Sequence, residues 1–300
     1  MTSQAAVIPV ISPTHIRIFR QGSTTYFHSS LVFPADVRKD VFVLYSFVRE
    51  ADDFVDSTPQ QADAFHAFCT RYRDALHGQP TGDLVIDSFV ELLQRREFDP
   101  AWVDSFLSSM AMDLTRKEYA TIADLDTYLY GSSEVIGLFM ARIMDLPEAS
   151  EPAARLLGKA MQFINFIRDI DEDQVLGRTY LPRDEWESFG LSGLSREEAH
   201  RHPDAFTAFI RSQLDRYSLW QKDAEKGYGW IPWRYLVPIR TASDMYRWTG
   251  DVIRADPLVV YRRKVKPSIP RIMASVLGNG IRTAPVLLLG PSPAVPSAVR

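Results

Sequence analysis

The chain has 300 residues, of which 46% are hydrophobic and 24% are charged, so it can bury one large core and is not a disordered protein. Its net charge is −4, whereas proteins that follow nucleic-acid phosphates carry a basic excess, so we expect no nucleic-acid partner. The single cysteine, Cys69, excludes an intrachain disulfide framework and a thiolate zinc site.

Targeting signals are missing from the sequence. No apolar run reaches 18 residues, and the N-terminus lacks a basic stretch followed by an apolar core. We therefore expect neither a membrane-spanning helix nor a signal peptide, and we predict a cytoplasmic protein.

Helical periodicity dominates the middle of the chain, and neither alternating strand patterns nor a β-α-β succession is present. The predicted helices cover residues 37–55, 61–76, 82–94, 100–112, 122–144, 153–175, 204–226 and 237–254. The fold class is therefore all-α, with one large helical domain over residues 14–265. Prolines at both ends predict a flexible lead over residues 1–13 and an extended Pro-rich tail, not a packed helix, over residues 266–300.

The first predicted helix carries an unusual polar stripe. Tyr45, Arg49, Asp52 and Asp56 fall at i, i+4, i+7 and i+11, which places them on one side of a helix whose other sides are largely apolar. A helix of this composition is buried, so its carboxylates are expected to line a cavity.

A second stripe occurs more than a hundred residues later, where Gln162, Asn165, Asp169 and Asp173 run through another apolar helix. Polar groups in a buried helix are costly unless something binds them, and like charges at i, i+4 oppose helix formation by about 0.2–0.5 kcal/mol per pair. A solvated face explains either stripe alone. Two matching stripes instead predict a bound cation.

Magnesium suits this pattern, because Mg²⁺ prefers oxygen ligands and commonly bridges a few carboxylates to substrate phosphates. Arg49 and Arg168 lie next to the stripes and are suited to bind a diphosphate together with the metal. Such a site would neutralise the charge that develops on a departing diphosphate.

These two segments resemble the aspartate-rich motifs of the squalene/phytoene synthase family. The first spans residues 49–56, and the second spans residues 162–173 and ends in the Arg-Thr-Tyr-Leu-Pro run at 178–182. Residues 22–27 and 128–137 are similar to the family's N-terminal segment and central Tyr-Gly helix. The resemblance covers about residues 20–265 and implies a single helical bundle of the isoprenoid synthase type with a central cavity.

The resemblance also implies roles for individual residues. The protein would bind two or three Mg²⁺ ions, with Mn²⁺ as an alternative. The metal ligands would be Asp52, Asp56, Asn165, Asp169 and Asp173. Residues in catalytic roles would be Tyr45, Arg49, Tyr130 and Arg168. Substrate-binding residues would be Ser23, Arg49, Gln162, Arg168, Arg178, Tyr180 and Tyr246. Two departures stand out: Glu134 replaces a small residue in the central helix, and Ser23 follows Gly22 where some relatives have His. Asp113 and Glu118 are expected to be ion-pair or capping groups.

By this resemblance, two prenyl diphosphates are joined head to head through a cyclopropyl diphosphate. Two geranylgeranyl diphosphates giving phytoene is the first hypothesis. Squalene or dehydrosqualene formation from farnesyl diphosphate is the alternative, and NADPH would be needed only for squalene. A class I terpene cyclase, a prenyl chain elongase and a non-catalytic assembly factor remain as weaker hypotheses. Peripheral membrane contact is a further hypothesis, because the product is insoluble, and the sequence leaves the oligomeric state open.

Overall fold

The computed structural model describes residues 11–288, and within that range all regular structure is helical except for one isolated bridge between Glu118 and Thr179. The first eight helices are α1 (Pro13–Gly22), α2 (Thr24–Ser30), α3 (Ala35–Asp56), α4 (Ala62–Leu76), α5 (Leu84–Arg95), α6 (Pro100–Thr115), α7 (Ile122–Leu129) and α8 (Val135–Ile143). The remaining seven are α9 (Glu151–Arg168), α10 (Ile170–Val175), α11 (Arg183–Ser188), α12 (Arg196–Arg201), α13 (Pro203–Glu225), α14 (Trp233–Ala255) and α15 (Ile269–Leu288). The all-α prediction is confirmed.

Two of the predicted helices are interrupted. The helix predicted over residues 122–144 contains a π-helical turn, Tyr130–Glu134, between α7 and α8. The helix predicted over residues 153–175 breaks at Asp169, where φ is −101° and ψ is 14°. Both interruptions lie in motifs that the sequence singled out, and π turns are frequent at functional sites.

The prediction for the C-terminal tail was wrong over the part that the structure describes. Residues 269–288 form α15, and its side chains Ile272 and Asn279 are buried against the bundle. Pro270 lies in the first helical turn, where a missing N–H costs nothing, and residues 271–284 contain no proline. The spacing of the prolines therefore matters more than their number.

The N-terminal prediction is also corrected in part. Pro13 does not break a helix but begins α1, with the Ser12 hydroxyl accepting a hydrogen bond from the Thr14 N–H at 3.2 Å. Residues 1–10 of the predicted lead lie outside the described residues. The division of the chain into lead, domain and tail otherwise stays a prediction.

Helix α3 is the centre of the bundle and contacts α1, α4, α5, α6 and α8. On the side away from its acidic stripe, Phe47 is fully buried and stacks on Phe89 of α5 with ring centroids 3.8 Å apart. Phe68 and Phe106 complete this aromatic cluster from α4 and α6. Packing on one side fixes α3 in rotation, so its polar stripe faces the opposite side, toward α9.

Helices α8 and α9 approach each other so closely that only glycine fits at their contact. A Cβ atom on Gly137 would lie 2.1 Å from the backbone oxygen of Ala154, and one on Gly158 would lie 2.2 Å from that of Ser133. This contact fixes the position of α9, which carries the second polar stripe.

The Gly137→Ala variant is expected to be destabilised by about 1–3 kcal/mol, because the added methyl group meets backbone atoms that cannot move aside. Urea unfolding followed by circular dichroism measures the change. Gly193→Ala is the matched control, since a Cβ there meets no atom within 4 Å. Equal stability of the two variants would contradict the close-approach argument.

Candidate active site

The first polar stripe lies on α3 as the sequence predicts. Arg49 Nη1 is 3.2 Å from Asp52 Oδ2, and its Nη2 is 2.5 Å from Asp53 Oδ1. Tyr45 lines the cavity and stacks on Phe19 with ring centroids 3.8 Å apart. Asp52 keeps 32% of its side-chain exposure, so it faces an open mouth while its helix is buried.

The second stripe lies on α9 and α10 and stays on one side despite the break at Asp169. The Asp173 N–H donates to the Asp169 carbonyl at 2.8 Å, which continues the helical path across the break. Asp169 accepts two hydrogen bonds from Arg168, at 2.8 and 2.5 Å. Asn165 Nδ2 donates to Gln162 at 3.3 Å, while the buried Asn165 Oδ1 has no hydrogen-bond partner among residues 11–288.

A buried clamp joins the two stripes. Arg178 is 3% exposed, and its Nη1 is 2.6 Å from Asp56 Oδ1. Beneath it, the buried carboxylate of Asp113 accepts hydrogen bonds from the hydroxyls of Tyr180 at 2.8 Å and Tyr128 at 2.6 Å. A charged group this deeply buried is tolerated only with such partners, so the network fixes the segment after α10 against α3.

The carboxylates repel one another across the mouth. Burial, followed by the charge of Asp56, raises the pKa of Asp52 well above its usual range. Burial and then the charges of Asp169 and Asp56 raise the pKa of Asp173 in the same way. Arg178 links the two helices, because its N–H donates to the Asp173 carbonyl at 2.8 Å while its guanidinium pairs with Asp56, so the two stripes face each other across one space.

Asp169 behaves differently. Burial alone would raise the pKa of Asp169, but the hydrogen bonds and charge of Arg168, with a smaller contribution from Lys264, lower it instead. Asp169 is therefore a compensated carboxylate, whereas Arg49 compensates Asp52 only in part and the pKa of Asp173 stays raised.

An apolar cavity of about 270 Å³ opens from this mouth. Tyr45, Gln162 and Asn165 line its polar end, and its wall follows α9 as far as Ala153. Twelve helical residues separate Asn165 from Ala153, which corresponds to about 18 Å. The space can therefore hold an elongated hydrocarbon whose polar group lies at the carboxylates.

Some predicted site residues lie outside this space. The Ser23 hydroxyl caps α2 by accepting from the Tyr26 N–H at 3.2 Å, and Tyr130 packs its ring against the Arg155 guanidinium at 5.2 Å. Neither residue lines the cavity; Ser132 and Ser133 of the π turn do so in place of Tyr130. Their predicted contacts with substrate stay predictions.

Arg178 and Tyr180 are also held below the cavity, in the buried clamp. Tyr246 is buried where burial raises the pKa of its hydroxyl, near Arg168, Tyr26 and Asn165. Its ring centroid is 5.6 Å from that of Tyr26. Tyr246 thus lies beside the second stripe without lining the cavity, and its predicted contact with substrate stays a prediction.

Three residues at the site were not predicted to be there. Asp113 forms the kind of ion pair expected for it, with Arg178 at 3.9 Å, and it also joins the clamp by accepting from Tyr128. Lys264 lies 3.4 Å from Asp169 and also pairs with Glu172. The position of Lys264 in the basic Arg-Arg-Lys run at 262–264 is the only feature of the sequence that points to these contacts. Glu134, the departure in the central helix, pairs with Arg155 at 2.8 Å.

The protein's oxygen atoms at the mouth supply only part of the coordination that Mg²⁺ requires. The mouth offers oxygen donors, namely partly compensated carboxylates and the Asn165 Oδ1, which has no hydrogen-bond partner among the described residues. In the part of the chain that the structure describes, no three His, Cys, Asp or Glu side chains converge on one point. A magnesium ion that takes its remaining ligands from phosphate oxygens and water requires no such convergence.

Comparisons with known proteins identify the family to which this fold belongs. The family model described as squalene/phytoene synthase matches residues 19–271. The chain therefore belongs to the squalene/phytoene synthase family and is a prenyltransferase, which confirms the resemblance.

Relatives with assigned names include two bacterial proteins. The chain is 29% identical to a 15-cis-phytoene synthase of a Paracoccus species, over 85% of this chain and 86% of the relative. It is 27% identical to a 15-cis-phytoene synthase of a Synechocystis species, over 85% of this chain and 80% of the relative.

Solved structures share the fold. Squalene synthase HpnC from Alicyclobacillus acidocaldarius superimposes with a TM-score of 0.73 at 22% identity, covering 83% of this chain and 93% of that one. A dehydrosqualene synthase in complex with ligand gives a TM-score of 0.78 at 21% identity, covering 91% of this chain and 96% of that one. At these identities the likeness establishes the all-α fold.

Two carboxylates of the mouth should respond to neutralisation with opposite signs. Asp52→Asn is expected to stabilise the protein by roughly 1 kcal/mol in EDTA at pH 7.5, after allowance for screening by water in the open mouth. A raised folded-state pKa costs stability above the unfolded-state pKa, so this gain should vanish as the pH falls toward 4. Asp169→Asn should lower stability by about 3 kcal/mol, because it leaves Arg168 unpaired. Thermal unfolding at both pH values tests this, and two shifts of the same sign would contradict it.

The Asp113 clamp should depend on pH. Burial, opposed by Arg178 and the two tyrosines, raises the pKa of Asp113 to about 6. Tyr128→Phe removes a donor to the ionised carboxylate, so it should cost about 1.5–3 kcal/mol at pH 8 and less at pH 5, where Asp113 is protonated. Chemical unfolding at both pH values provides the measurement.

Tyr72→Phe is the matched control for this experiment. The Tyr72 ring is equally buried, and its hydroxyl has no hydrogen-bond partner among the described residues. Its loss should change stability by less than about 0.5 kcal/mol at either pH. A Tyr128→Phe effect that does not depend on pH would refute the placement of Asp113 as the titrating acceptor.

Proposed function

We propose that this protein condenses two geranylgeranyl diphosphates head to head, through a cyclopropyl diphosphate, to give phytoene. The observation that carries the proposal is the pair of opposed carboxylate stripes at the mouth of an apolar cavity. Such a mouth suits a diphosphate group, and such a cavity suits a prenyl chain.

The choice of a C20 substrate has two supports. The relatives from Paracoccus and Synechocystis are named 15-cis-phytoene synthases. In addition, the cavity wall continues along α9 to Ala153, and three of its lining residues, Gly158, Ala154 and Ala153, are small. Small wall residues leave room for long chains to lie along the helix.

Magnesium is the cofactor that the donor set favours, with Mn²⁺ as a substitute. Asp52, Asp56, Asn165, Asp169 and Asp173 would hold two or three ions together with diphosphate oxygens. When bound, the ions would neutralise negative charge on the departing diphosphate. The raised pKa values of Asp52 and Asp173 support this assignment, because a cation is what these carboxylates lack.

The protein's own residues would orient and shield the reacting groups. Arg49 and Arg168 project from the two stripes and would turn from their present Asp partners, in part, toward diphosphate oxygens. The rings of Tyr45 and Tyr26 line the cavity, with Tyr246 packed against Tyr26, and they would stabilise a carbocation by cation–π attraction of about 0.5–2 kcal/mol each. The apolar wall excludes the water that would quench the cation.

Arg178 and Tyr180 take a different place in this proposal from the one that the sequence predicted. Their burial in the clamp supports a positioning role, in which they hold Asp56 toward the mouth. The prediction that Ser23 and Tyr130 contact substrate is retained without structural support. Neither residue lines the cavity.

The chemistry of the proposed substrates bears on whether the protein contacts a membrane. No helix within residues 11–288 has the length and hydropathy needed to cross a bilayer. Substrate tails and a hydrocarbon product nevertheless favour peripheral contact with a membrane, and the cytoplasmic location stays a prediction.

Product analysis tests the proposal. Purified protein with Mg²⁺ and geranylgeranyl diphosphate is expected to form phytoene without NADPH, and activity should disappear with EDTA. Asp52→Ala and Asp169→Ala should each lower the rate by at least about a hundredfold, because loss of electrostatic stabilisation of the transition state typically costs that much. Gas chromatography with mass spectrometry of the extracted hydrocarbons measures both results.

Asp171→Ala is the matched control, since Asp171 belongs to the same acidic run but pairs with Arg196 at the surface. It should keep nearly full activity. A C30 product from farnesyl diphosphate would reassign the substrate, and NADPH dependence would point to squalene. A cyclic hydrocarbon or a prenyl alcohol would indicate a cyclase, a longer prenyl diphosphate an elongase, and no turnover by folded protein an assembly factor.

A further inference from the structure

Helix α15 packs on the bundle with its polar side inward. Asn279 Nδ2 donates to Asp244 of α14 at 2.8 Å, and the Ser275 hydroxyl donates to the same carboxylate at 3.0 Å. Thr283 is also buried, and Ile272 is the fully buried apolar contact near the N-terminal end. These bonds fix the rotation of α15 about its axis.

As a consequence, large apolar side chains point outward. Ile269, Met273, Leu277 and Ile281 recur every four residues and are 47%, 47%, 67% and 64% exposed. We call this stripe the outer face of α15. Surface helices normally bury such a stripe, and contiguous exposed apolar surface marks a site of interaction.

The charge around the outer face has one sign. Residues 257–288 contain no Asp or Glu, although the whole chain has a net charge of −4. Their basic residues, all exposed, are Arg262, Arg263, Lys264, Lys266, Arg271 and Arg282. Arg262 and Lys264 pair with acidic residues from outside this segment, and Arg271 lies over the Trp248 ring at 4.8 Å. An apolar stripe with basic flanks matches an anionic lipid surface.

The outer face begins next to the active site. Lys264, five residues before α15, lies 3.4 Å from Asp169 at the mouth. Leu31 and Trp233 are also 40% and 47% exposed, and the rings of Phe33 and Tyr235, two residues further along the chain from each, are 6.4 Å apart. Trp side chains are typical of membrane–water interfaces.

We propose that the outer face of α15 docks on an anionic lipid bilayer, with its apolar stripe in the interfacial layer and its basic flanks on the headgroups. A second copy of the chain is a poorer occupant, because two such faces would bring like charges together. The proposal deepens the proposed function, in which prenyl tails enter and a hydrocarbon leaves, by giving the membrane contact a surface.

Vesicle flotation of the full chain without substrate tests the surface independently of catalysis. The protein should float with vesicles of phosphatidylcholine and phosphatidylglycerol, and much less with phosphatidylcholine alone or at high salt. The double variant Leu277→Ser with Ile281→Ser should bind at least about tenfold more weakly, because one apolar side chain leaving water is worth about a factor of ten.

Leu219→Ser on α13 is the matched control, since Leu219 is 58% exposed on another helix and should float as the unmodified protein does. Circular dichroism checks that each variant is folded, and detergent-solubilised substrate checks that its turnover is unchanged. Equal flotation of the double variant, or no flotation of the unmodified protein, would overturn the proposal. So would light scattering that finds a dimer which the double variant dissociates.

Discussion

Repulsion between aspartates on opposed helices is the interaction on which the rest of the site depends. Asp52 and Asp56 on α3 face Asp173 on α10 across one open mouth, and Arg49 and Arg178 neutralise these carboxylates only in part. A fold gains nothing in stability from such an arrangement. It makes physical sense only when a ligand that carries positive ions occupies the mouth, which is why metal and diphosphate enter the account together.

Holding these groups in place requires rigid support on both sides. Phe47 and its aromatic neighbours fix α3 from behind, while the glycines at positions 137 and 158 fix α9 against α8. The clamp of Arg178, Asp56 and Asp113 then joins the two stripes from below. Each support lies away from the cavity, so the wall itself can remain apolar and open.

The sequence predicted the fold class and most of the stripes because both depend on helical period. Spacing alone places Tyr45, Asp52, Gln162 and Asp169 on the polar sides of their predicted helices. Period could not reveal the π turn at Tyr130, which diverts that ring from the cavity wall. It also could not foresee that Arg178 is buried, because the pairing depends on a contact across 122 residues of sequence.

The errors at the two ends have one cause. Proline was read as a helix breaker at Pro13 and in the tail, but both Pro13 and Pro270 lie in first turns, where proline is favourable. The inward polar side of α15 was equally hidden, because its partner Asp244 belongs to another helix. Composition indicates which secondary structures a segment disfavours, whereas tertiary contacts decide which face of a helix is buried.

Titration of Mg²⁺ by isothermal calorimetry, with and without inorganic diphosphate, tests the central claim most directly. If the opposed carboxylates form a complete site only with phosphate oxygens, diphosphate should tighten Mg²⁺ binding by at least about tenfold, a coupling of about 1.4 kcal/mol. Equal Mg²⁺ affinity in the two titrations would contradict the account, because the aspartates would then bind metal without the substrate group that is proposed to complete their coordination.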